Sequence, residues 1–155
     1  MFRQITSERG FGLVHVIAAL MIVTVALVGI FISTFYAQKK ATENYHYRAA
    51  LLIAADRMEQ IKFHNKYNEG EVFVNIAGIS GQVILDERDG NPLWAQVMSP
   101  SKTTHSDLEI APYVVYDKVT ITVRWQEASS SFFNPHTTEQ KEVVLREDYY
   151  RKFTL

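Results

Sequence analysis

The chain has 155 residues, 47% of them hydrophobic and 21% charged, with a formal net charge of -1; this is the length of one domain and close to the average composition of a globular protein. Near-neutral charge excludes a protein that holds nucleic acid through a broadly basic surface, though not one with a local basic patch, and 19 aromatic residues exclude a disordered chain. The absence of cysteine excludes disulfides, thiolate nucleophiles and cysteine-based metal sites, while leaving the compartment open.

The averages hide two chemistries. Residues 1–10 are short and polar, with Arg3, Glu8 and Arg9. Residues 11–37 then contain no Asp, Glu, Lys or Arg, and 21 of these 27 residues are hydrophobic. As a helix the run spans roughly 40 Å, more than the roughly 30 Å hydrocarbon core of a bilayer. It is also longer than the apolar core of a secretory signal, about 7–15 residues. By hydropathy alone this is a plain N-terminal membrane anchor. Charge does not set its orientation, because Arg3 and Arg9 before it are balanced by Lys39 and Lys40 after it.

The junction Arg9-Gly10-Phe11-Gly12-Leu13-Val14-His15-Val16-Ile17 resembles the class III signal of type IV prepilins and type II secretion pseudopilins. That family has a short basic leader ending in Gly, then Phe, then an apolar helix. The resemblance implies cleavage between Gly10 and Phe11 by a prepilin peptidase, methylation of the Phe11 amine, and a leader on the cytoplasmic side. It also implies that Phe11 and residue 15 are assembly contacts. The family usually has Glu at the fifth mature position, where its carboxylate can neutralise the N-terminal ammonium of a neighbouring subunit in lipid. Here that position is His15. A neutral imidazole cannot neutralise a cation, and a protonated one would repel it. A subunit at the filament tip has no preceding amine to meet, so the substitution suits a tip or initiation-complex subunit; tolerance within the shaft, or a neutral contact, are the alternatives.

No proline precedes Pro92, so nothing forces a break in residues 11–67, whereas many major pilins carry a proline in this helix. A helix is expected through Lys39 to about Asn65, with Asn65, Asn68 and Gly70 as its stop. In its second half Tyr47, Leu51, Ala54, Met58 and Ile61 recur at three- and four-residue spacing, with Ala55 beside them, as a stripe for packing on the chain's own sheet or on a partner helix.

Further on, Val72, Val74 and Ile76 alternate, as a strand or extended connection. Residues 82–87 and 93–98 read as a hairpin around Asp89-Gly90-Asn91-Pro92. Residues 99–112 are polar and read as loop. Val119, Ile121, Val123 and Trp125 form the clearest strand, residues 128–138 a connection, and residues 142–146 the strand's partner. One helix followed by antiparallel strands implies an α+β fold: leader 1–10, transmembrane half-helix 11–37, amphipathic half-helix 38–67, and an antiparallel β domain 68–155. The segment Leu51–Ile61 followed by the 119–125 strand resembles V-type minor pilins and I-type pseudopilins.

Catalytic motifs are absent: the sequence has no GxGxxG, GxxxxGK[ST], HExxH or GxSxG. An enzyme is not expected, and neither is a cofactor or a metal. His105, Asp107 and Glu109 would share a face if extended, and Asp86, Glu87 and Asp89 could offer oxygens to Ca²⁺, but solvated loop residues are the commoner role of both sets. Phe132-Phe133 and the acidic-aromatic end Glu147-Asp148-Tyr149-Tyr150-Arg151 are candidates for either core or partner contact. The resemblance implies a minor pilin-like subunit of a type IV pilus or type II secretion filament. It would be held once through the bacterial inner membrane with its domain in the periplasm. Its partners would be the lipid bilayer, other pilin or pseudopilin subunits, prepilin peptidase and the inner-membrane assembly platform, with no specific nucleic acid. The competing class is a single-pass anchored periplasmic binding module that keeps residues 1–10 and does not polymerise.

Overall fold

With leucine and alanine throughout and no proline to break it, one helix, α1 (Leu13–Asn65), runs for 53 residues, about 80 Å at 1.5 Å per residue. A computed structural model describes residues 12–67, 71–88, 90–107, 114–128 and 138–150. They divide into two units at the boundary between Ala41 and Thr42, and α1 contributes residues to both.

In the first unit every side chain from residue 12 to 38 is exposed. Two hydroxyls there are tied to the helix itself: Thr24 Oγ1 donates to the Leu20 carbonyl at 2.6 Å and Thr34 Oγ1 to that of Ile30 at 2.9 Å. Lys40 Nζ lies 5.8 Å from the Tyr36 ring centroid, at the end of the uncharged run. An 18-residue window here reaches a mean hydropathy of 2.8 with none of it buried, so α1 is long and apolar enough to cross a membrane.

In the second unit the end of α1 packs on a five-stranded antiparallel sheet: β1 (Gly81–Asp86), β2 (Leu93–Val97), β3 (Ser101–Asp107), β4 (Val114–Ala128) and β5 (Thr138–Tyr150). β4 is central. β5 pairs along residues 116–128 of β4, while β3 and β2 divide its other edge, at 114–120 and 123–125; β1 lies outside β2. This is the α+β layout that the order of patterns implies.

The period of two along β4 buries Val119, Ile121, Val123 and Trp125 against Ala50, Ala54, Met58 and Ile61 of α1 in a single core. Leu85, Ala95, Val97 and Val143 complete it from the other strands. The helix face is rotated from the one its sequence suggests. Ala54, Met58 and Ile61 are buried, but Tyr47 is 51% and Leu51 38% exposed, and His46 and Ala50 occupy the inner positions instead. Two small alanines let the helix backbone come close to the sheet, where the bulk of Tyr47 and Leu51 would hold it off.

Two strand expectations are revised and one open alternative is decided. Residues 99–112 are not all loop, because β3 occupies 101–107. Its hydroxyl-rich sequence has no apolar alternation, and it is a strand because it pairs with residues 114–120 of β4. The segment 72–76 is an extended connection outside the sheet, with Val72 buried. β4 and β5 run beyond their apolar centres, to 15 and 13 residues. The stop at Asn65 has a clear cause. Its amide donates to the carbonyls of Ile61 at 2.8 Å and Phe73 at 2.9 Å and accepts the Phe73 N–H at 2.8 Å, so one side chain ends the helix and holds the returning chain.

Candidate functional site

Gly10 and Phe11, the expected cleavage pair, lie outside the described residues. His15 stands exposed in the first turn of α1, and its backbone N–H donates to the Gly12 carbonyl at 2.8 Å. No acidic residue occurs in that turn, so no side-chain carboxylate from it faces the positive end of the helix dipole. Between residues 12 and 38 His15 is the one imidazole, and no Asp, Glu, Lys or Arg accompanies it.

A second constellation joins three distant parts of the chain and was not evident in the sequence. His46 of α1 is nearly buried, and both its ring nitrogens meet carboxylates: Nδ1 contacts Glu127 Oε1 of β4 and Nε2 contacts Asp86 Oδ2 of β1 at 3.0 Å. Arg88 embraces Asp86 through Nε at 3.0 Å and Nη2 at 2.8 Å, and its backbone N–H donates to the same carboxylate at 3.1 Å. The Arg88 guanidinium holds the Asp86 carboxyl well below the usual carboxylate range, and the His46 hydrogen bond acts in the same direction. The Arg88 guanidinium carbon sits 3.9 Å from the centroid of Tyr45, the neighbour of His46. Both ring nitrogens face carboxylate oxygens of the chain itself, so neither is open to a substrate. The cluster is a clasp between helix and sheet.

A buried carboxylate serves the connection in the same way. Asp117 of β4 is fully buried; its Oδ2 accepts the Val72 N–H at 3.2 Å and its Oδ1 accepts the Thr104 hydroxyl at 2.6 Å. Near the end of α1, Lys62 Nζ reaches Glu147 of β5 and Glu59, each at 2.8 Å, and these two carboxylates raise its pKa above the ordinary lysine range. Burial pushes the neighbouring Tyr149 phenol up to about 12, and its hydroxyl has no hydrogen-bond partner.

Among the described residues no group of three histidines or carboxylates could hold a metal ion, and each of the two candidate sets has a member outside those residues. His105 is stacked on Tyr116 at 5.3 Å between centroids, and Asp86 belongs to the His46 clasp. Glu109, Asp89, Phe132, Phe133 and Arg151 lie outside the described residues. Tyr150 is 69% exposed and packs its ring 5.7 Å from that of Tyr116.

Compared with family models, curated proteins and solved structures, the chain matches none.

Proposed function

We propose that the chain is a minor pilin-like structural subunit of a type IV pilus or type II secretion filament. In this reading residues 1–10 are a leader removed after Gly10, and the apolar part of α1 holds the subunit in the bacterial inner membrane with its sheet domain in the periplasm. The same helix then exchanges lipid for neighbouring helices in a filament core. The observation that carries the reading is one unbroken helix with two surfaces: an uncharged stretch exposed throughout residues 12–38, and a stretch from His46 to Ile61 buried on an antiparallel sheet. An anchor needs only the first. The resemblance of the 9–17 junction to prepilin signals supplies the processing step.

Within that reading, His15 in the place of the usual Glu assigns the subunit to the tip or initiation complex, where no preceding N-terminal amine has to be neutralised. Antibody labelling of isolated filaments is the test. The reading predicts label at filament ends for the native protein and along the shaft for His15→Glu. Even labelling of the native protein along the shaft would contradict the tip assignment, and its absence from all filaments would favour the second reading, a single-pass anchored periplasmic module that does not polymerise. The lack of a carboxylate at position 15 is the observation in favour of that module.

A further inference from the structure

The sheet face turned away from α1 carries a groove of about 550 Å³ that neither the anchor nor the filament reading uses. Two rows of side chains cross this face of the sheet, and all of them but Glu142 and Ile84 line the groove. In the first, Gln82 stands opposite Gln96, Gln96 opposite Arg124, and Arg124 opposite Glu142, one residue from each of four strands. In the second, Ile84 stands opposite Trp94 and Gln126 opposite Gln140. Four of the chain's seven glutamines therefore line one groove. Of the lining residues, Trp94 keeps 49% of its surface exposed and Met98 37%. Arg124 is the one charged residue in the lining, and its Nε donates to Glu142 Oε2 at 3.0 Å, which leaves the groove without net charge.

We propose that this groove is a binding site for a neutral carbohydrate. A pyranose ring has an apolar C–H face and a rim of hydroxyls, each both donor and acceptor. An exposed indole offers a flat apolar surface to the first. A primary amide offers two donors and one acceptor to the second, so glutamines answer a hydroxyl of either sense without introducing charge. The Gln96 amide makes only a 3.4 Å contact to the Val97 carbonyl, and the other three amides stand exposed. The spacing is built in: strands lie about 4.8 Å apart and same-face residues along a strand about 7 Å apart, which sets amides around the indole at distances a sugar ring can bridge. The same facts disfavour other occupants. Single-stranded nucleic acid requires a positively charged track beside its aromatic platforms, and here the one cation is paired. An apolar helix requires a continuous apolar stripe, and here amides interrupt it.

Calorimetric titration of the full chain in a sugar-free detergent tests the assignment. The probes are cellohexaose, maltohexaose and chitohexaose, with a heparin fragment and an oligo-dT as charged controls. We expect saturable binding of at least one neutral hexasaccharide in the millimolar range or below. Trp94→Ala should weaken it at least about tenfold, and Gln82→Ala and Gln126→Ala about threefold each. Tyr150→Ala, on the same face but outside the groove, should leave it unchanged. All four side chains are exposed, so unfolding curves of the variants should superpose on the parent. Absence of binding by all three sugars would overturn the proposal. So would binding that survives Trp94→Ala, or binding confined to the charged controls.

Discussion

His46 Nδ1 on α1 and Glu127 Oε1 on β4, 81 residues apart in the chain, are in hydrogen-bond contact. The other nitrogen of the same ring meets Asp86, so the imidazole is held between two strands that do not touch each other in the sheet order. His46→Ala leaves two nearly buried carboxylates, Asp86 and Glu127, turned toward an empty space. The expected loss is about 1–3 kcal/mol, read as a lowered unfolding temperature of the full chain; an unchanged temperature would show that the clasp contributes nothing.

Asp117 accepts hydrogen bonds from Val72 in the connection after the helix and from Thr104 in β3. Asp117→Leu removes the acceptor for the Val72 N–H and the Thr104 hydroxyl and is expected to cost about 2–3 kcal/mol. Asp117→Asn keeps one acceptor oxygen and should cost less. Chemical denaturation of the two variants beside the parent gives the ordering, and equal losses would contradict it.

The rotated helix face makes a size prediction. Ala54 is fully buried against the sheet, whereas Tyr47 is half exposed. Ala54→Leu should destabilise by about 1–3 kcal/mol through overpacking, while Tyr47→Ala should change stability by no more than about 0.5 kcal/mol. The reverse order, measured by thermal unfolding, would place Tyr47 on the packing face after all.

Alkaline pH should weaken the domain from about pH 10. Tyr149 titrates at about 12 in the folded chain against an ordinary 10.0. Between these values the unfolded chain has released the proton and the folded chain retains it, so stability falls as pH rises. Lys62 adds the same sign, since its pairing with Glu147 and Glu59 is fully present below its ordinary value of 10.5 and is lost above its raised folded value. Tyr149→Phe should flatten the Tyr149 part of this decline. At neutral pH it should match or exceed the parent by about 0.5–1 kcal/mol, because the buried hydroxyl lacks a partner. Circular dichroism between pH 8 and 12 checks both; an unchanged alkaline slope would contradict the assignment to Tyr149.

The helix was legible over nearly its whole length because its signal is local: an uncharged run, no proline, and an asparagine at its end. The β1–β2 hairpin and the centre of β4 were legible for the same reason, since turn residues and a period of two lie next to one another in the chain. β3 was not, because Ser101 to Asp107 becomes a strand only through pairing with β4. The packing stripe was displaced by one residue at Tyr47 and Leu51, because large apolar residues carry the pattern while small ones make the contact. The His46 clasp draws single residues from positions 46, 86 and 127, and the groove draws its glutamines from four positions on four strands. No window of sequence contains either.

In the pilin-like reading proposed above, the apolar helix begins at a processed end. The intact mass of the protein, purified from cells with an active prepilin peptidase, tests this most directly. The account predicts a chain that starts at Phe11, lacks residues 1–10 and carries one added methyl group. A mass that retains Met1 to Gly10 would contradict it and leave a plain membrane-anchored module.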